Sequence, residues 1–369
     1  MNVNTRTLNI ANSERKRVFY FDVLRTIACL SVVLYHVCGN FESIGFSASG
    51  IGYYYTADYW ISYFLHTASR LGVPIFAMIS GALLLDETYA FTSEKLKKHL
   101  IKIIVFYVFW LAVYAGLFKI ALPLYHKESI SISEIMSVSE DEAYHLWFCP
   151  MIIGLYLFAP ILKLWVNDKN KKFVEYYLIL SAVLYCTLYR VVAIVGDVVD
   201  ISGTKSAIDY MISGQFTGYV FFFILGWYLH NYDIKHKALV IVAGIIGFLI
   251  SYFWNFTRSL LSGTLYTSHT NSAPNVVLMA ILLFLAVKWI IGANSGDGKG
   301  YIFFKSVSKY SFGIYGVHQI AIYFSTSIVS KINVDFTLFN IIVVFLISAG
   351  LSYIVSYLFS KIPFLKRVV

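Results

Sequence analysis

Charge is what this sequence has least of. Only 13% of its 369 residues are Asp, Glu, Lys or Arg, against 59% hydrophobic, and the mean hydropathy is +0.70. A soluble chain of this length has too much surface to carry so few charges. Long polar stretches are also missing. The longest are the N-terminal tail, 86–98, 125–143, 197–209 and 258–272, each the size of a loop, so nothing reads as a separate soluble domain. The four cysteines, Cys29, Cys38, Cys149 and Cys186, form no C-x-x-C pair. They read as small apolar helix residues, with a Cys38–Cys149 disulfide as the one conceivable pairing. No H-E-x-x-H occurs, and no metal is expected. The G-x-S-x-G elbow and the Walker P-loop are absent, which argues against those hydrolase and ATPase classes.

What is present is a series of apolar runs, each about 20 residues long and able to cross hydrocarbon. They predict an all-α polytopic bundle of about ten transmembrane helices near 18–38, 54–85, 100–122, 145–166, 174–196, 211–231, 237–257, 273–293, 305–329 and 336–360. Gly72 and Pro74 are expected to kink the long second segment, unless 54–65 is an interfacial piece. The first segment follows basic residues as a signal peptide would. However, it contains Asp22 and Arg25 and has no clear cleavage site, so it reads as a retained helix. The division is then a basic cytoplasmic tail (1–17), one membrane domain (18–361) and a short cytoplasmic tail (362–369).

The net charge of +9 does not point to nucleic acid, because the basic residues flank the spans. With both termini inside, most of them fall on the cytoplasmic side, including Arg17, Lys98, Lys102, Lys171, Lys237, Lys305 and Lys366. Few, such as Lys119 and Arg190, fall outside, where Glu140, Asp141, Glu142 and Asp197 gather. This asymmetry fits an N-in, C-in multi-pass protein of the cytoplasmic (inner) membrane.

Ionisable residues inside spans are costly and default to functional candidates. Arg25 and His36 are eleven residues apart, so they share one helix face with a rise of about 16 Å between them. Asp22 lies one turn before Arg25, in reach to pair with it. Arg70 sits mid-span before Gly72 and Pro74. His145 and Trp147 lie at the outer end of the fourth helix, and His318 lies beyond the middle of the ninth. Each also has a plainer reading: Arg25 snorkels to headgroups, Arg70 forms a structural ion pair, His145 and Trp147 anchor the interface, and His36 and His318 are hydrogen-bonded core residues. His66 and the remaining histidines receive no role.

The stretch from Tyr20 to Ala28 with Leu34-Tyr35-His36 resembles the first-helix signature of the acyltransferase 3 family, an Arg and a His separated by ten residues. Residues 72–81 (GVPIFAMISG) resemble the family's second motif. His145-Leu146-Trp147-Phe148 with Pro160, the run 223–229 (FILGWYL) and the run 311–318 (SFGIYGVH) follow in family order. A departure stands at the start of helix three, where the family often has two arginines and this chain has His99 and Lys102. Bidentate phosphate contacts would be lost there.

The resemblance implies a membrane O-acyltransferase that takes an acyl group, usually acetyl, from cytoplasmic acyl-CoA to a hydroxyl of a cell-surface or lipid-linked glycan. It implies no bound cofactor. Under it His36 is expected as general base. Arg25, Arg70, Lys98, Lys102 and Ser80 are expected to hold acyl-CoA, and Asp22, His145, Trp147 and His318 to contact the acceptor or support the site. An acyl-histidine relay is the less favoured variant. The competing class is a transporter or flippase that uses the same polar residues to pass a glycan. Monomer and oligomer both stay open.

Overall fold

The computed structural model describes residues 17–139, 141–188, 191, 214–262, 271, 273–292, 299–332 and 337–369. The basic tail 1–16, Arg190, the end of the fifth expected span, the outer loop 197–209 and His269 lie outside the described residues.

The first helix, α1 (Phe19–Ser49), runs well past its expected end at residue 38. Polar residues that read as loop are satisfied against protein instead: Asn40 Nδ2 donates to Thr326 Oγ1 at 3.3 Å, and Glu42 meets His66 at 2.9 Å. Gly50, at φ 56°, then ends the helix in a conformation that costs glycine little. The second expected span divides into α2 (Ala57–Ser69) and α3 (Gly72–Leu84). The break falls at Arg70 and Leu71. Pro74 sits in the first turn of α3, where its missing N–H costs nothing.

α4 (Ser93–Tyr114) starts earlier than expected, because Thr92 caps it by accepting from Lys95 N at 3.2 Å and lysines are good helix formers. It continues through a π-helical stretch (Ala115–Ala121) to His126. α5 (Phe148–Trp165) follows a 3-10 turn at Tyr144–Trp147. The remaining helices are α6 (Lys171–Ser181), α7 (Gly214–Asn231), α8 (Lys237–Ser262), α9 (Pro274–Ile291), α10 (Lys299–Val329) and α11 (Thr337–Phe359). No strand occurs among the described residues.

Among the described residues, seven helical stretches are long and apolar enough to cross a membrane; α6, α7 and α10 fall outside that set. α10 carries a polar face buried in protein, with Ser308, Ser311, His318 and Ser325, which lowers its hydropathy without exposing polarity to lipid. α8 shows the opposite pattern. Its Leu239, Val242, Ile246, Ile250 and Phe253 are exposed, as a bilayer-facing surface should be. The chain is an all-α, multi-pass membrane protein.

α1 and α10 run parallel. Arg25 meets Ser308, Cys29 meets Ser311, and Asn40 meets Thr326. An odd number of crossings must separate them, as in the ten-span order. At the Arg25 end lie Arg17, the start of α4 with its lysines, and Lys163 at the end of α5, bonded to the Asp86 carbonyl at 2.5 Å. The chain end returns there: Trp110 Nε1 donates to the Val368 carbonyl at 3.2 Å. At the opposite end Lys119 is clasped by Asp141 (3.0 Å) and Glu142 (3.1 Å). Lys119, and after it Ser137, holds the Asp141 carboxyl below the usual carboxylate range. The four cysteines are free and buried, so Cys38 and Cys149 are not joined.

Candidate active site

Three imidazoles from three elements converge at the far end of the α1–α10 seam. α1 supplies His36, α10 supplies His318, and the turn before α5 supplies His145. Ring centroids lie 5.2 Å apart for His36–His318, 4.8 Å for His145–His318 and 6.5 Å for His36–His145. The parallel register of α1 and α10 sets the first pair. The 3-10 turn places the third: it turns His145 inward, 2% exposed, and leaves Trp147 41% exposed.

Hydrogen bonds define what each ring can do. His318 Nδ1 lies 2.6 Å from the Tyr315 carbonyl. A carbonyl only accepts, so Nδ1 carries the proton and Nε2 keeps its lone pair. His318 Nε2 and both ring nitrogens of His145 find no partner among the described residues, although they are buried. His145 is held instead through its backbone carbonyl, which accepts from Tyr315 Oη. His36 Nδ1 meets Tyr144 Oη at 2.8 Å, and Gln319 Nε2 donates to that same oxygen at 3.3 Å. A neutral imidazole bonded through Nδ1–H presents Nε2 as a base.

His36 and His145 border a cavity of about 310 Å³, shared with Tyr35, Arg70, Trp147, Tyr219 and Tyr315. Its size is at the lower end for small-ligand sites. Arg70 Nη2 donates to Tyr35 Oη at 3.2 Å and its guanidinium stands 5.4 Å from that ring. Trp147 and Tyr219 face each other with centroids 5.5 Å apart. Behind Tyr35 lies a buried couple that sequence reasoning missed: Glu42 Oε2 and His66 Nδ1 at 2.9 Å, with the His66 ring 4.2 Å from that of Tyr35. Glu42 lay beyond the expected end of the first helix, so no periodicity could place it opposite His66.

From this cavity a narrow apolar slot of about 50 Å³ runs along the seam, lined by Val32, Val73, Phe76, Phe148, Ser311, Phe312 and Tyr315. Phe312 stacks on Phe106 at 3.7 Å, and Lys102 Nζ stands 5.9 Å from its ring. Lys102 in turn borders the largest of these cavities, an open cleft of about 860 Å³ with Tyr89, Lys95, Lys98, His99, Lys366 and Arg367. Cavity, slot and cleft therefore follow one another along the bundle.

The residues expected to hold acyl-CoA are not one cluster. Lys98 and Lys102 border the basic cleft. Arg70 borders the histidine cavity at the other end. Arg25 borders neither; its Nη1 donates to Ser308 Oγ at 3.4 Å. Ser80, the remaining residue of that expected group, borders none of the three cavities. Asp22 does not pair with Arg25. It is forked by Arg17, with both N–O distances 2.6 Å, and accepts from Ser308 Oγ at 2.7 Å. Arg17 reaches it because Val18 is extended before the helix begins, which returns the guanidinium over the first turn. Ser308 thus bridges Asp22 to Arg25. Among the described residues, no group of three or more His, Cys, Asp or Glu is placed to hold a metal ion.

No curated protein and no solved structure matches the chain. A family model described as an acyltransferase domain, that of acyltransferase 3, matches residues 18–361. That span takes in every residue of the histidine cavity and all of the basic cleft but Pro363, Lys366 and Arg367. The chain belongs to the acyltransferase 3 family.

Proposed function

We propose that this protein is an O-acyltransferase of the cytoplasmic membrane, moving an acetyl group from acetyl-CoA to a hydroxyl of a cell-surface or lipid-linked glycan. The observation that carries this reading is the order of basic cleft, slot and histidine cavity along the bundle: slot and cavity share Val32, Val73 and Tyr315, and Lys102 of the cleft stands over Phe312 of the slot. The basic end faces the cytoplasm, by the excess of Lys and Arg gathered there, and CoA reaches the protein from that side. The nucleotide end rests on the lysines of the cleft. The pantetheine arm passes Lys102 and Phe312 and follows the slot to His36, a distance on the scale of the roughly 16 Å rise along α1. Arg25, tied through Ser308 to Asp22, lies on the same α1–α10 seam toward its basic end.

The acceptor occupies the histidine cavity, where Trp147 and Tyr219 offer faces for a sugar ring and Arg70 a cation. His36 Nε2 takes the proton of the acceptor hydroxyl. The hydroxyl oxygen bonds to the thioester carbonyl carbon, and the tetrahedral oxyanion collapses with cleavage of the C–S bond. The proton passes from His36 to the departing thiolate, which leaves as CoA thiol. The unpartnered N–H of neutral His145 is available to the oxyanion, and the fixed lone pair of His318 faces the same group of rings.

The test is transfer of labelled acetyl from acetyl-CoA to glycan by the purified protein. Label that stays on CoA with every glycan offered would reject the reading. Tyr144→Phe removes the hydroxyl that holds His36 Nδ1. It is expected to lower kcat roughly tenfold, the scale of one hydrogen bond to a reacting group, with a smaller change in KM for either substrate. A fall confined to KM would mean that Tyr144 binds the acceptor and does not orient the base.

A further inference from the structure

The basic cleft has two walls of separate origin. One is the first part of α4, with Lys95, Lys98 and Lys102. The other is the segment after α11, with Pro363, Lys366 and Arg367. Sequence gives the second wall no role: it reads as part of the short cytoplasmic tail after the last span. The structure treats it differently. Leu365–Val368 forms a 3-10 turn that folds back into the bundle. Val368 is 2% exposed. Its carbonyl accepts from Trp110 Nε1 at 3.2 Å, and Lys102 Nζ donates to the Val369 oxygen at 3.4 Å. Val369 also packs where a side chain on Gly313 of α10 would sit. The anchoring residues are thus the two after Lys366 and Arg367, which fixes those cations on the rim, facing the lysines of α4.

We infer that this segment is a working part of the donor site: Lys366 and Arg367, opposite Lys95, Lys98 and Lys102, form a phosphate-binding cleft for the nucleotide end of the acyl donor. The inference rests on the acyl-CoA reading above and extends it to residues outside the family match. Five cations around about 860 Å³ suit a ligand with several phosphates, and Tyr89 on the rim offers a ring face to a base. Arg367 adds a guanidinium that grips phosphate in two places where lysine grips in one. Lys102 connects the functions: it anchors Val369, borders the cleft and stands over Phe312 at the slot. Anionic lipid headgroups present the same phosphate chemistry, so the experiment separates them from CoA.

The test compares acetyl-CoA with acetyl-pantetheine, which carries the same thioester without the nucleotide, in nanodiscs of zwitterionic lipid. In Lys366→Gln/Arg367→Gln the ratio of kcat/KM for acetyl-CoA over acetyl-pantetheine is expected to fall roughly tenfold or more, the scale of one or two charged hydrogen bonds. Lys98→Gln on the facing wall should move the ratio in the same direction. A ratio equal to wild type overturns the inference, as does an equal loss with both donors, which would mean a structural tail. A loss seen only when anionic lipid is added would assign the cations to headgroups and overturn it too. Thermal unfolding gives a second readout: CoA should raise the Tm of wild type more than that of the double variant, whereas pantetheine should raise both alike. If no donor supports transfer, the acyltransferase reading fails first, and the CoA-dependent Tm shift still decides whether the cleft binds the nucleotide.

Discussion

His36→Ala is expected to lower acetyl transfer by roughly 10²- to 10⁴-fold, the usual contribution of a positioned general base. Three features of the site argue for a value in the upper part of that range. His36 is the imidazole of the three that is both hydrogen-bonded through Nδ1 and in the cavity wall. His318 is walled off, with 0% exposure, and does not border the cavity. His145 borders it, but neither of its ring nitrogens is oriented by a partner among the described residues. No neighbour is therefore set up to replace the lost base. The measurement is single-turnover transfer of labelled acetyl at saturating donor and acceptor, which isolates the chemical step from binding. CoA-induced stabilisation should persist in the variant, since the basic cleft is at the other end of the slot. A variant that transfers at the wild-type rate would remove His36 as base. If His318→Gln alone abolished transfer at that point, the role would pass to His318.

The same seam shows what sequence can and cannot tell. Arg25 and His36 were placed on one face by helical periodicity, and that holds because both lie inside one unbroken helix. The order of the motifs identified the family, and the apolar runs identified a multi-pass bundle. Partners across helices were not legible. Asp22 sat one turn from Arg25, yet the extended residue before the helix brought Arg17 onto it, and Ser308, more than 280 positions away, became the bridge. Arg70 looked like a partner for CoA because it is a cation in a span. The break between α2 and α3 turns it to the opposite end of the site from Lys98 and Lys102. Tyr144 and Gln319 each had a visible neighbour, His145 and His318, but nothing in their spacing marks them as the pair that meets at His36. The helix lengths missed by sequence have the same cause. Asn40 and Glu42 look like loop residues until the protein groups that satisfy them are known.

The largest effect on the folded state is expected from Gly81→Ala. α3 and α7 cross so closely that a Cβ on Gly81 would overlap the backbone of Phe223, and one on Gly226 would overlap the backbone of Met78. This is the small-residue contact by which membrane helices approach, since the bilayer supplies no hydrophobic drive between them. A backbone obstacle cannot rotate aside as a side chain can, so the helices must separate. Around the crossing, Ile75, Ala77, Met78 and Ile79 of α3 and Phe222, Phe223, Ile224 and Trp227 of α7 are at most 1% exposed. Moving the pair apart loosens all of these contacts together, because dispersion falls away within an ångström. Overpacking of a core costs about 1–3 kcal/mol and more where backbone is involved, a large share of the roughly 5–15 kcal/mol that keeps a domain folded. The expected result is a Tm in detergent lower by about four degrees or more, the shift that a loss near the top of this range produces in a chain of this length, and a reduced yield of monodisperse protein. Gly154→Ala is the control: nothing lies within 4 Å of a Cβ there, and alanine is the better helix former by up to about 1 kcal/mol, so its Tm should equal or exceed that of wild type. Because Gly81 and Arg70 lie on either side of Gly72 at the α2–α3 break, the displaced α3 should also disturb the acceptor cavity, raising KM for the glycan in whatever Gly81→Ala protein remains folded. A Gly81→Ala protein that melts with wild type would mean that the two helices are not in contact there, and the wall of the cavity formed by Arg70, Gly72 and Val73 would need to be redrawn.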